Sequence, residues 1–390
     1  MDATWHGYSA AHGLRTGGRE KVRAALQAAR TRTLQLADAY ADALRPRDFR
    51  VPYRATLNPP LWEWGHVAWF QEWWIARNAQ RPRGVACDPD HARAPSRMPE
   101  ADAMYDSSRV AHARRWELAL PDELTTREWL AATLADTLAL LDALPEAATD
   151  DELYFFRLVA MHEEMHAEAA IYMAESLGIA VPASVWRAAP PLPGDAATLK
   201  IPAQRFEAGW QGAGFAFDNE LQPLAIDLAA FEIDTAPVSG ARFQEFVDAG
   251  GYRTPRYWDD EGWRWLQAHG VPSREHAAPT AAAHLTAYEA QAWCRWAGRR
   301  LPTEFEWECA ALTQPGFSWG QVWEWTASTF APYPGFVPHP YREYSAPWFD
   351  TRRTLRGACL ATAATLAHPR YRNFFEPQRA DIFAGFRSCA

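Results

Sequence analysis

The stretch that most restricts how this chain can fold is DELYFFRLVAMHEEMHAEAAIYMAESLG, residues 151–178. It reads as one long helix, and Gly178 is the residue type that closes a helix just beyond its C-terminus. Inside it, His162 and His166 stand four apart. On a helix that spacing leaves two side chains about 40° apart around the axis and about 6 Å apart along it, so both imidazoles can face one point. Leu158, Val159, Met161 and Ile171 surround them, and an imidazole buried without a partner is costly. The helix therefore needs a surface to cover it and something to satisfy its histidines. A metal ion, or a hydrogen-bonded place in the core, would meet the second need.

Three more helices are available as cover. REKVRAALQAARTRTLQLADAYADAL (19–44) repeats apolar residues by threes and fours, the period of one helix face, and Pro46 closes it. NPPLWEWGHVAWFQEWWIARNA (58–79) follows, with Asn58 as the expected N-cap and Pro59 and Pro60 suited to a first turn. TTREWLAATLADTLALLDALPE (125–146) carries Leu130, Leu134, Leu138 and Leu141 in a stripe and ends at Pro145. Residues 80–103 read as loop. Four long helices ahead of residue 180 predict a four-helix bundle.

Residues 181–203 are rich in Pro and Ala and read as a linker. Beyond them Gly, Pro, Trp and short β-type runs dominate, with one clear helix, TAYEAQAWCRWAGR (286–299). That half predicts a compact, loop-rich α+β domain. A chain of 390 residues exceeds one ordinary core. The expected organisation is multidomain, α and then α+β, with a helical bundle over 18–180, a linker over 181–203 and the second domain over 204–390.

Charge and cysteine usage narrow the function by exclusion. The formal net charge is −9 and no block of five Lys or Arg appears, which argues against nucleic-acid partners and anionic membrane docking. No run approaches the 18 apolar residues of a membrane helix, and the first residues lack an apolar signal core. The five cysteines are scattered, with no CxxC pair, as expected of reduced thiols in a cytoplasmic protein.

His162-Glu163-x-x-His166 is also the spelling of a zinc protease. That reading needs a third ligand. His166 is followed by AEAAIY, not by a further Gly and His, and the chain beyond Gly178 enters a Pro-rich stretch with no helix offering a spare Glu. A better third ligand is His66, in LWEWGHVAWFQEWW on the second helix, walled by Trp62, Trp64, Trp69 and Trp73. Bundle cores hold metals between facing helices. Three neutral imidazoles leave positions open for water, oxygen or substrate, so the site would be catalytic; imidazole suits both zinc and iron.

These residues resemble a known family. LWEWGHVAWFQEWW together with HEEMHAEA is similar to the DinB-type four-helix domain of the ergothioneine-forming sulfoxide synthases, the EgtB group. FAFDNE (215–220), PVSGARFQEFVDAGGYRTPRYWDDEGWRW (237–265), WAGRRLPTEFEWECAA (296–311), VWEWTAS (322–328), YPGFVPHPYREYSAPWF (333–349) and FAGFR (383–387) resemble, in the same order, the formylglycine-generating-enzyme-type domain, a C-type-lectin-like fold. The resemblance implies Fe(II) held by His66, His162 and His166, O₂ as co-substrate, and hercynine (trimethylhistidine) as acceptor. Sulfur is joined to C2 of the hercynine imidazole and a sulfoxide forms. Redox work of this kind explains iron, because zinc has no redox chemistry. The active site is expected between the two domains.

Two places depart from the ergothioneine pattern. Many relatives read H-x-x-Q-H, where the Gln helps hold substrate; here that position is Met165. Many read R-N-W-D, where the Asp helps bind the amino group of γ-glutamylcysteine; here the run is Arg372-Asn373-Phe374-Phe375. A donor bearing an ammonium loses its counter-charge at Phe375, and an aromatic platform suits an uncharged donor such as a sugar ring. With RYRNFFEP (370–377), GFAFDNE (214–220) and AMYDSSRVAHARRWELALP (103–121), these departures resemble a sister group, the selenoneine synthases. That group joins hercynine to a 1-seleno-sugar (a selenosugar) through a C–Se bond and gives a selenoxide. The alternative is a sulfoxide synthase joining hercynine to γ-glutamylcysteine or cysteine.

The resemblance also implies roles. Asn373 is expected at or near the hercynine imidazole, with Met165, Phe374 and Phe375 shaping the pocket and Trp62, Trp69 and Phe374 among the aromatic faces open to the trimethylammonium. Arg109 and Arg114 are candidates for substrate oxygens. Tyr341, chosen from Tyr333, Tyr341 and Tyr344, is the expected proton or hydrogen-atom donor. Glu163 is expected on the surface or behind the metal, orienting a ring. Cys359 is expected to be a small core residue, not a metal-binding thiolate.

Overall fold

The computed structural model describes residues 6–188, 192, 197–272 and 280–390. Its first half is helical: α1 (His6–Thr16), α2 (Arg19–Leu44), α3 (Pro60–Trp74), α4 (Ala101–Tyr105), α5 (Glu123–Asp142) and α6 (Asp150–Leu177). The histidine helix α6 opens on a capping box, in which the Thr149 hydroxyl accepts from the Glu152 amide and the Glu152 carboxylate accepts from the Thr149 amide. It closes on Gly178 at φ 70°, a left-handed conformation that glycine adopts without strain. α2 packs along α6, α3 lies against both α5 and α6, and α2 also meets α5. The four long helices thus close around one another.

α3 is the central element because its sequence leaves it no polar face. Pro60, Trp62 through Glu72 and Trp74 are all buried, and a helix that is apolar all round belongs inside. It is shorter than its periodicity suggests, ending at Trp74 where the chain turns into a 3-10 segment, Arg81–Ala86. Asn58 is not its cap. Pro59 holds that position, and the Asn58 amide instead donates to Glu63 Oε1 at 2.6 Å. The 80–103 stretch is interrupted by that 3-10 turn and by the start of α4.

The second half carries β1 (Thr198–Ile201), β2 (Gln204–Ala208), β3 (Leu224–Leu228), β4 (Phe231–Asp234), α7 (Gly240–Asp248), α8 (Asp260–His269), α9 (Ala287–Trp296), α10 (Glu304–Thr313), β5 (Trp323–Thr329), β6 (Arg353–Gly357), β7 (Asn373–Phe375) and β8 (Ala384–Gly385). β1 pairs with β4 and β2 with β3, both antiparallel. The larger sheet runs β7-β6-β5-β8, with only the β5–β8 pair parallel. Sequence reading anticipated α9 alone among the helices here. α10 escaped because it has no polar stripe. Glu304, Trp307, Glu308, Cys309, Ala310 and Ala311 are all buried, and two of its carboxylates face inward onto buried arginines, Glu304 on Arg356 and Arg372 and Glu308 on Arg356. Residues 189–191 and 193–196 of the expected 181–203 linker lie outside the described residues.

One apolar core runs through both halves, and polar bolts cross it. Arg15 of α1 pairs with Glu220 through two hydrogen bonds of 2.8 Å, both side chains fully buried. Trp323 of β5 donates its indole N–H to Glu168 of α6 at 2.6 Å. No described helix is long and apolar enough to cross a membrane.

Candidate metal centre

α3 and α6 present His66, His162 and His166 to one point, with ligand atoms all within 4.8 Å of one another. His66 and His162 are buried, and His166 keeps 23 % of its side chain exposed. Each ring is held from behind. His66 Nδ1 lies 2.8 Å from the Tyr105 carbonyl oxygen, and a neutral ring that donates there keeps Nε2 as its acceptor. Trp62 stacks flat on the same ring at 4.9 Å. His162 stacks on Phe70 with ring centres 3.5 Å apart. His166 Nδ1 lies 2.6 Å from Glu63 Oε2, a carboxylate–histidine arrangement that orients a ligating ring and raises its basicity.

Electrostatics keep the two buried rings neutral. Burial, reinforced by His166, pushes His66 down to about 3. Burial likewise holds His162 well below the usual imidazole value. Burial alone would raise Glu63, but His166, Asn58 and His66 together outweigh it and hold that carboxyl at about 2, so it is ionised at neutral pH. His162 Nε2 is buried with no hydrogen-bond partner. Three converging imidazoles, two of them held neutral by burial and one of those with an orphaned nitrogen, suit a divalent metal ion.

A cleft of about 810 Å³ opens beside His166. Asn58, Met165 and Tyr172 line it from the helical half, and Tyr371, Asn373, Phe374 and Phe375 from the other. The structure thus brings Met165, Asn373, Phe374 and Phe375 together. Met165 Sδ accepts from the Tyr371 hydroxyl at 3.3 Å. Phe374 stacks on Phe330 at 4.1 Å. Asn373 Oδ1 accepts from the Phe374 amide at 2.9 Å, which leaves its amide N–H groups to donate.

Arg109 does not join this cleft. It lines a second opening of about 600 Å³ with Trp69, Phe70, Trp73, Trp74, Asp106 and Tyr341, and its side chain is 78 % exposed beside Asp106. Arg114 is exposed and paired with Glu117. Tyr341 borders that opening and also the metal site, packing edge-on against Phe70 at 4.9 Å and standing 6.2 Å from the His162 ring. Tyr333 is engaged elsewhere, with Arg356, whereas Tyr344 lines the cleft beside His166 with its hydroxyl 2.9 Å from that of Tyr371. Trp62 and Trp69 pack against His66 and do not line the cleft beside His166. Cys359 is fully buried.

Sequence reading looked for a supporting carboxylate at Glu163. That residue is buried and bound to Arg30 at 2.7 and 3.1 Å, so it neither faces solvent nor orients a ligand ring. The carboxylate that does so is Glu63. Its signal was present: it precedes His66 by three residues, which puts both on one helix face.

Comparison with known proteins gives the site a setting. The Sulfatase-modifying factor enzyme 1-like domain matches residues 191–321. Hercynine oxygenase of Mycolicibacterium smegmatis is 31% identical, over 95% of this chain and 98% of its own length. The hercynine oxygenase of Mycolicibacterium thermoresistibile is 30% identical, over 92% of each chain. A formylglycine-generating enzyme of Streptomyces coelicolor is 30% identical over 31% of this chain and 50% of its own. Identity at this level across almost the whole length of both chains, with the three histidines gathered at one point, leads to one conclusion: the chain belongs to the hercynine oxygenase family.

Proposed function

We propose that this protein is a non-haem Fe(II)- and O₂-dependent synthase that joins a chalcogen to C2 of the hercynine imidazole. The observation that carries the reading is the three-imidazole centre opening onto a cleft lined by both halves of the chain. The balanced reaction takes hercynine, R–SeH or R–SH and O₂ to the hercynyl selenoxide or sulfoxide and water. The C2–H and chalcogen–H bonds break, a C2–chalcogen bond forms, one oxygen atom stays on the chalcogen and the other leaves as water.

His66, His162 and His166 would hold the iron, which when bound supplies the one-electron chemistry that O₂ requires. The chain's own groups do the rest. Glu63 and the Tyr105 carbonyl fix two ligand rings. Asn373 donates to an acceptor atom of the substrate, and the faces of Phe374 and its neighbours attract the trimethylammonium. Met165 sets the width of the cleft beside His166. Burial raises the Tyr341 phenol well above its usual value, so it stays protonated at neutral pH, the form in which a hydrogen-atom donor must wait beside His162. Arg109, with Asp106, Ser107 and Ser108, gives the second opening a polar rim around a tryptophan floor, where donor oxygens would bind.

Two donors are compatible with this frame. The selenosugar reading rests on Phe374-Phe375 and Met165, which offer an ammonium no carboxylate at their own positions, the carboxylates that do line the cleft being engaged, Glu63 by His166 and Asn58 and Glu168 by Trp323, and on the aromatic floor and polar rim of the second opening. The sulfur reading, with γ-glutamylcysteine or cysteine, has the more direct support from the comparisons, because the full-length relatives are hercynine oxygenases and nothing in their names involves selenium. The test supplies the Fe(II)-loaded protein with hercynine, O₂ and each donor in turn and measures product by mass. Product from the selenosugar at a higher kcat/KM than from either thiol supports selenium. Product from thiols alone sinks that reading, and no loss of hercynine with any donor sinks the function itself.

A further inference from the structure

The segment that bears Tyr341 belongs to the second half of the chain, yet its ring stands beside a metal-binding histidine of the first. Something must set that register. Two residues before Tyr341 lies His339, between Pro338 and Pro340, whose fixed φ angles stiffen the run. His339 is gripped twice. Its backbone N–H donates to Asp218 Oδ2 at 3.3 Å, and its Nδ1 lies 2.9 Å from the hydroxyl of Tyr154. Tyr154 is buried on α6, the helix that carries His162 and His166. The other oxygen of Asp218 accepts from Ser345, so one carboxylate spans both ends of the Tyr341 segment.

We propose that Tyr154 and His339 are positioning residues: their hydrogen bond locks the Tyr341 segment to the metal-bearing helix and so fixes where the Tyr341 hydroxyl sits relative to the metal. This rests on the role given to Tyr341 above. The pair is well suited to a static lock. Burial holds the His339 ring neutral, at about 4, and keeps the Tyr154 phenol protonated, so the bond persists across neutral pH without a change of charge. Tyr154 packs edge-on against Phe155 at 5.0 Å, which leaves its hydroxyl few other places to go.

The test uses the full chain with Tyr154→Phe, His339→Ala and His339→Asn; the Asn side chain keeps a polar atom near the place of Nδ1. Amide hydrogen exchange, read without substrate, is expected to speed up at least tenfold across 338–345 in the first two variants and to stay within twofold of wild type in the third. Iron affinity should be unchanged in all three. Turnover with hercynine should then fall about tenfold in kcat at constant KM for Tyr154→Phe and His339→Ala, and Asn should restore it. Unchanged exchange in Tyr154→Phe overturns the lock. Faster exchange with undiminished kcat overturns its positioning role. Because the exchange arm needs no turnover, a wild-type protein inert toward hercynine would refute the proposed reaction while the lock is still decided by exchange alone.

Discussion

Replacing Glu63 with Gln removes one charge and almost no volume, which makes it a sharp probe of the metal centre. Glu63 is buried and its two oxygens are both engaged, one by His166 and one by Asn58, each at 2.6 Å. A hydrogen bond to an ionised group contributes about 1.5–3 kcal/mol and a neutral one about 1, so Glu63→Gln should cost the His166 contact about 1–2 kcal/mol. Supporting carboxylates behind metal-bound histidines typically change metal affinity 10–100-fold, and about 1.4 kcal/mol corresponds to a tenfold weaker Kd. Anaerobic Fe(II) titration against a competing chelator should therefore give a Kd raised about tenfold, with circular dichroism unchanged. Glu63→Ala should be worse, because it also removes the partner of the half-buried Asn58 amide. A Glu63→Gln protein that binds Fe(II) within twofold of wild type would refute the claim that this carboxylate supports a ligand.

Three other outcomes follow from particular contacts. His66 titrates at about 3 in the folded chain and near the ordinary imidazole value when unfolded, so the unfolded state takes up protons first as pH falls. In the metal-free protein the stability tied to a neutral His66 is complete above about pH 6.5 and erodes toward pH 3, by on the order of 2 kcal/mol at pH 5; urea unfolding in chelator at pH 7.5 and 5 checks this, and equal stability would contradict it. Trp323→Phe removes the indole donor from Glu168, whose carboxyl burial already pushes up, and should cost about 1–3 kcal/mol of unfolding free energy; a loss below half of that would mean the contact does not brace the two halves. Phe375→Asp adds a carboxylate on the β7 side of the cleft, apart from the already engaged Glu63 and Glu168, and should raise kcat/KM for γ-glutamylcysteine relative to the selenosugar at least tenfold; an unchanged ratio would mean Phe375 does not choose the donor.

The helical half was legible because its signals are local. α2 and α6 keep a helical period between clear ends, and Gly178 and Pro46 mark where they stop. His66 could be found because a polar ring inside a tryptophan-rich helix demands a partner, and two more imidazoles waited on α6. Glu63 stayed hidden because acids on helices ordinarily face water, and only the packing of α3 on every side puts this one inside. Glu163 misled for the converse reason: beside a ligand in sequence, it points to Arg30 in space. In the second half, ordered motifs carried the fold, while α7, α8 and α10 did not declare themselves. Tyr333, Tyr341 and Tyr344 are equivalent as text. Only the fold brings Tyr341 to His162, sends Tyr333 to Arg356 and sets Tyr344 against Tyr371 in the cleft beside His166. Arg109 shows the limit of motif reading, since it lies on a different opening from Asn373.

The three-histidine centre is proposed to run an O₂-dependent reaction on hercynine. Oxygen uptake and hercynine loss, followed together in the Fe(II)-loaded protein with a chalcogen donor present, test it most directly. One O₂ should be consumed per hercynine, the product should carry one added oxygen, and both signals should be lost in His162→Ala. Oxygen uptake independent of hercynine, or turnover that survives His162→Ala, would contradict it.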